Sequence, residues 1–104
     1  YDALIETFAQ RFRVIVVEMP AMGFSAARES YGFAFRESAD DLAAFLKGVA
    51  GEGAVLAFSC AAGMAAVDVA ARHPTLVSAL ALIQTTGWEG FQRWRAARDP
   101  KKIL

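Results

Sequence analysis

Along the chain, stretches whose apolar residues recur every three or four positions alternate with short runs in which apolar residues follow one another without a break. Tyr1, Leu4, Ile5, Phe8 and Phe12 are separated by Asp2, Glu6, Gln10 and Arg11, the stripe of an amphipathic helix. Val14, Ile15, Val16 and Val17 come next and are closed by Glu18 and Pro20. A β-branched run with no alternation predicts a strand buried on both faces of a parallel sheet. Residues 21–31 carry Gly23, Ser25 and Ser30, the composition of a surface loop. From about Arg36, the residues Ala39, Leu42, Ala43, Phe45, Leu46 and Val49 line one helical face. Glu37, Asp40 and Asp41 load its first turns and Lys47 lies near its end, as the helix dipole favours. Gly48, Gly51 and Gly53 end that helix. Ala54, Val55, Leu56, Ala57 and Phe58 predict a second buried strand, residues 60–72 a third helix stopped by His73 and Pro74, and residues 76–83 a third strand. Helix, strand, helix, strand, helix, strand predicts an α/β fold: three parallel strands with flanking helices and right-handed crossovers.

Composition narrows what such a fold can do. A length of 104 residues suits one domain with a modest core. Hydrophobic residues make up 56% of it and the mean hydropathy is +0.32, which excludes disorder. Eleven basic and eleven acidic side chains cancel, so no long-range field draws the chain toward nucleic acid or an anionic membrane. Cys60 is the only cysteine and His73 the only histidine, too few for an internal disulfide or a closed zinc site. A reducing, cytoplasmic location is the expectation. Residues 54–71 are nearly apolar over about the length a bilayer needs. Asp68 sits in their middle and Ser59 and Gly63 interrupt them, so a switch from strand to helix at Ser59 accounts for them better. The chain opens on Tyr1 rather than Met, and a helix-like segment follows instead of an export signal, so an N-terminal stretch is expected to precede it.

One segment carries chemical content: Ala57-Phe58-Ser59-Cys60-Ala61-Ala62-Gly63, where a buried strand turns into a helix. It resembles the nucleophile elbow of the α/β-hydrolases, G-x-S-x-G, with Ala57 and Ala61 where the glycines usually stand. Phe12-Arg13-Val14-Ile15-Val16-Val17-Glu18-Met19-Pro20-Ala21-Met22-Gly23-Phe24-Ser25 is similar to the family's "RVIAPDLPGHGRS" strand and loop. Ala39-Asp40-Asp41-Leu42 resembles the helix after it, and Ala70-Ala71-Arg72-His73-Pro74 with Val77, Leu80, Leu82 and Ile83 resembles the "A-x-R-H-P" helix end and the next strand. The matches fall in the family's order over residues 1–83.

The resemblance implies a central fragment of a serine hydrolase acting on an ester, thioester or related acyl carbonyl, without cofactor or metal. Residues 1–83 would be a partial core lacking the first three and last two strands, and residues 84–104 the start of a cap. Ser59 would be the nucleophile and the Cys60 backbone N–H half of the oxyanion hole. Phe58 and Trp88 would contact a small-molecule acyl substrate, and Trp88, Phe91 and Trp94 with Arg93, Arg95, Arg98, Lys101 and Lys102 would form an amphipathic cap helix. His73 matches the structural helix end, not the late catalytic histidine. Glu18 is expected to hold backbone amides, and Glu89 is the nearest carboxylate beyond Ile83. The remainder of the hydrolase domain is the expected partner, and the chain alone is expected to be inactive. In the family's sheet order the third strand separates the fourth from the fifth, so residues 14–17 and 55–58 are expected to show unpaired edges. Two other readings stay open: a non-catalytic binding domain of the same fold, suggested by Ala57 and Ala61, and a small flavodoxin-like ligand-binding module.

Overall fold

The computed structural model describes residues 1–32, 34–85, 87, 89, 90, 92 and 93. Helix α1 (Asp2–Ala9) leads through a long irregular segment to α2 (Phe35–Phe45). The last turns of α2 widen into a π-helical stretch, Leu46–Ala50. Strand β1 (Ala54–Ser59), helix α3 (Ala62–Arg72) and strand β2 (Val77–Ile83) follow. Gly48 lies inside the π stretch rather than ending the helix. The stop is Gly51, at φ +80, whose amide donates to the Leu46 carbonyl at 2.8 Å; a side chain would oppose that left-handed backbone.

β1 and β2 pair in parallel, with Leu56 opposite Leu80 and Ser59 opposite Ile83. α3 joins them, because parallel neighbours need a crossover rather than a hairpin. Hydrogen bonds from Gly53 N to Thr75 O and from Cys60 N to Ile83 O carry the linkage one residue past each end of β1. Leu56, Phe58 and Leu80 face the helices, and Leu56 is buried. On the other face Val55 is 65% exposed. The expectation of strands buried on both faces therefore holds on one face only among the described residues.

The core lies where α2 and α3 cross that covered face. Ala39 and Ala43 of α2 are buried, as are Ala65 and Ala66 of α3. Four small side chains let two backbones approach closely, and Leu42, Leu46, Val69 and Leu76 fill the space around them. At the rim Arg72 spans both helices: its Nε donates to Asp68 at 2.8 Å and its Nη1 to Asp40 at 2.6 Å. Asp68, then Asp40, raises the Arg72 pKa above the ordinary arginine value, so the clamp keeps its positive charge at any pH the fold survives.

Arg28 does the same for the irregular segment. It reaches Asp41 and Glu37 on α2 and lies 5.6 Å over the Tyr31 ring. The Tyr31 hydroxyl is 2.6 Å from Ser38 Oγ.

Residues 14–17, expected as a strand with an unpaired edge, form no ladder with any described residue. The sheet has two strands, not three, among the described residues, and Val16 is 67% exposed. A strand is stabilised by a neighbour that takes up its N–H and C=O groups, and no described segment lies beside this one in a ladder. α1 likewise buries none of its residues; Leu4, Phe8 and Phe12 are all exposed.

Val69, with no exposed surface, is the test of where the core is. Val69→Ala removes two buried methyl groups and is expected to cost about 2 kcal/mol in urea unfolding. Val67→Ala, on the outer face of the same helix, is expected to stay within about 0.5 kcal/mol of the parent.

Candidate active site

β1 passes into α3 through two residues. Ser59 is the last strand residue and pairs with Ile83. Cys60 follows at φ +53, a left-handed conformation that costs a non-glycine residue about 1–2 kcal/mol. Ala61 has already returned to helical angles and caps α3. The first turn closes on this corner, with Gly63 N donating to Cys60 O at 3.3 Å and Met64 N to Ala61 O at 3.1 Å. The amides of Ala61 and Ala62 meet no acceptor among the described residues, as is usual for donors that open a helix. They can donate hydrogen bonds to a bound group that carries partial negative charge.

The corner is displaced by one residue from the position the sequence suggests. The strained residue is Cys60, not Ser59, and the Cys60 thiol is exposed. The Cys60 amide, expected as an oxyanion donor, is instead given to the Ile83 carbonyl at 3.0 Å. An N–H engaged in the sheet is not free for a ligand, so the next amide, that of Ala61, is the first available. Phe58, expected to contact substrate, is partly buried and packs against the hydrophobic core on the covered face. Trp88 lies outside the described residues.

A close approach between segments falls on Gly63. A Cβ built there would overlap Thr85 Oγ1 and stand 2.7 Å from Thr85 Cγ2. Glycine inside a helix costs roughly 1 kcal/mol against alanine, and a lone glycine among the alanines of residues 61–66 is the signal that could have marked the contact. Thr85 itself carried no signal in the sequence.

Other candidate groups are placed as follows. Glu18 holds a turn: its Oε2 accepts from Phe24 N at 2.6 Å, and its carbonyl accepts from Ser25 Oγ at 2.9 Å. It therefore fixes a backbone amide, as expected. His73 caps the far end of α3, about 16 Å along the helix from Ala62 at 1.5 Å per residue, out of reach of the corner. Glu89 is exposed and pairs with Arg93 at 3.3 Å. No group of three metal-ligating side chains is found among the described residues, and none of their helices is long and apolar enough to cross a membrane. Beside the first turn of α3, a cavity of ≈ 110 Å³ is lined by Met19, Met22, Phe35, Ala62 and Ala65, with the Tyr31–Ser38 hydroxyl pair at its polar side.

A family model described as the alpha/beta hydrolase fold matches residues 1–101. No curated protein and no solved structure matches the chain.

The Glu18 turn is open to direct test, since Phe24 at its tip is fully exposed (102%). Glu18→Ala removes the acceptor of the Phe24 amide and is expected to speed chymotrypsin cleavage after Phe24 several-fold. Global stability should change by no more than about 1 kcal/mol.

Proposed function

The chain belongs to the alpha/beta hydrolase fold family, and from that premise we propose that it carries the nucleophile of an acyl hydrolase acting on an ester, thioester or related carbonyl. The observation that carries the reading is the single strained residue at the corner between β1 and α3. In this family the nucleophile occupies the strained strand-to-helix turn, and the backbone N–H after it supplies part of the oxyanion hole. Cys60 at φ +53 and the unpaired Ala61 amide meet both requirements. The Cys60 sulfur would attack the carbonyl carbon, the Ala61 amide would stabilise the oxyanion, and the bond to the leaving group would break as that group takes a proton. Water would then cleave the acyl–sulfur bond and restore the thiol. No cofactor or metal is needed for these steps.

Ser59 is the second reading. Small residues stand two before and two after it, Ala57 and Ala61, whereas Cys60 has Phe58 and Ala62 in those places. Against it, Ser59 lies within the strand ladder, where its hydroxyl lacks the lift that a strained turn gives. Either nucleophile needs a base within hydrogen-bond reach, and no described residue provides one, so the 104 residues alone should turn over substrate slowly if at all. A non-catalytic domain of the same family would show no covalent chemistry at the corner.

Hydrolysis of a short p-nitrophenyl ester by the complete protein separates these readings. Cys60→Ala is expected to lower kcat by at least about 10³-fold, and Ser59→Ala to change it by less than about tenfold. The reverse pattern assigns the attack to Ser59. Absence of hydrolysis, with no labelling of either residue by a fluorophosphonate or an iodoacetamide probe, identifies a binding domain.

A further inference from the structure

Gly63 and Thr85 come from separate elements and meet beside the corner. Thr85 lies two residues after β2 ends at Ile83, beyond Gln84 at φ +53. The chain bends at Gln84 as it leaves β2, and the Thr85 side chain enters the notch left by the missing Cβ of Gly63. Ile83, at the root of this excursion, accepts the Cys60 amide, so one short segment touches both sides of the corner. Thr85 Oγ1 is fully buried and has no hydrogen-bond partner among the described residues. Such a hydroxyl weakens the fold relative to a methyl group in the same place, which points to shape as the useful property of the side chain here.

We propose that Thr85 is a positioning residue: its side chain wedges against Gly63 and holds the start of α3, and with it Cys60 and the Ala61 amide, in place against the end of β2. The proposal rests on the hydrolase reading for its effect on rate, but not for its effect on the corner itself. Cys60 is strained and held by the Ile83 hydrogen bond on one side. On the other side the helix start is held by the wedge. Without the wedge, the first turn of α3 can shift against the end of β2 and the corner relax toward ordinary angles, moving the thiol and the free amide relative to each other. Displacements near 1 Å in such a site lower rates by up to about a hundredfold.

The test uses the complete protein and two readouts: ester hydrolysis, and the rate of Cys60 alkylation by iodoacetamide followed at the peptide level. Thr85→Ala is expected to lower kcat about tenfold or more with little change in KM, and to alter the alkylation rate at least about threefold. Thr85→Val, which keeps the shape and removes the hydroxyl, is expected to match the parent in both. Gly63→Ala is expected to fail like Thr85→Ala or worse. Gly63→Ala combined with Thr85→Gly removes the overlap while placing a methyl group in the notch, and is expected to recover both readouts to within about threefold of the parent, even if Gly63→Ala alone does not fold. Thr85→Ala indistinguishable from the parent, Thr85→Val as damaging as Thr85→Ala, or no recovery in the double variant would each overturn the proposal. If the parent hydrolyses nothing, the hydrolase reading fails, and the alkylation rates still decide whether the wedge sets the corner.

Discussion

The parallel ladder between β1 and β2 constrains everything around the corner. Its register puts Ser59 beside Ile83, and the next amide, that of Cys60, closes the last bond of the pair. Because parallel strands run the same way, the chain must return along the sheet before β2 begins, and α3 does this in eleven residues. The helix has to start close to the end of β1, which leaves two residues for the reversal and forces one of them into the left-handed region. The strain at Cys60 is thus a consequence of the ladder ending where it does.

The helical layer is built for proximity. Alanines at positions 39, 43, 65 and 66 bring α2 and α3 together on one face of the sheet, and the Arg72 clamp closes their rim with two carboxylates. Arg28 extends that layer by fastening the irregular segment to the start of α2. The opposite face has no such cover among the described residues. Val55 on β1, the 14–17 run and the apolar side of α1 all remain accessible, so the α/β alternation is complete in sequence while only half of the expected layers are packed.

Much of this was legible beforehand. Strand β1, helix α3 and strand β2 fall within two residues of where the apolar runs, His73 and Pro74 place them, because a stretch that is continuously apolar and then periodic leaves few alternatives. The role of Glu18 was also readable, since a carboxylate before Pro20 and Gly23 sits at the mouth of a turn. The 14–17 run has strand composition and forms no ladder among the described residues, because composition reports a residue's preference for a sheet, while pairing depends on whether a neighbour is present; the gap in the family's strand order had pointed to that unpaired edge. The left-handed residue stands one position beyond Ser59 for a related reason. Small residues around Ser59 suggested the turn, but the point at which a ladder stops is set by the partner strand. The lone Gly63 marks a close approach, but nothing in local spacing identifies Thr85, twenty-two positions away, as what approaches it.

Residue order alone determined the class of fold, the succession β1, α3, β2 and the family to which the chain belongs. The first two follow from hydrophobic periodicity and from short-range signals that act within a few residues, and the family from motifs that it resembles in order along the chain. The tertiary structure decided which side chain takes the strain, which amides remain free, and what presses on the first turn of α3. Those depend on register and on the approach of segments distant in the chain, and register is a relation between two strands that neither strand's residues specify alone.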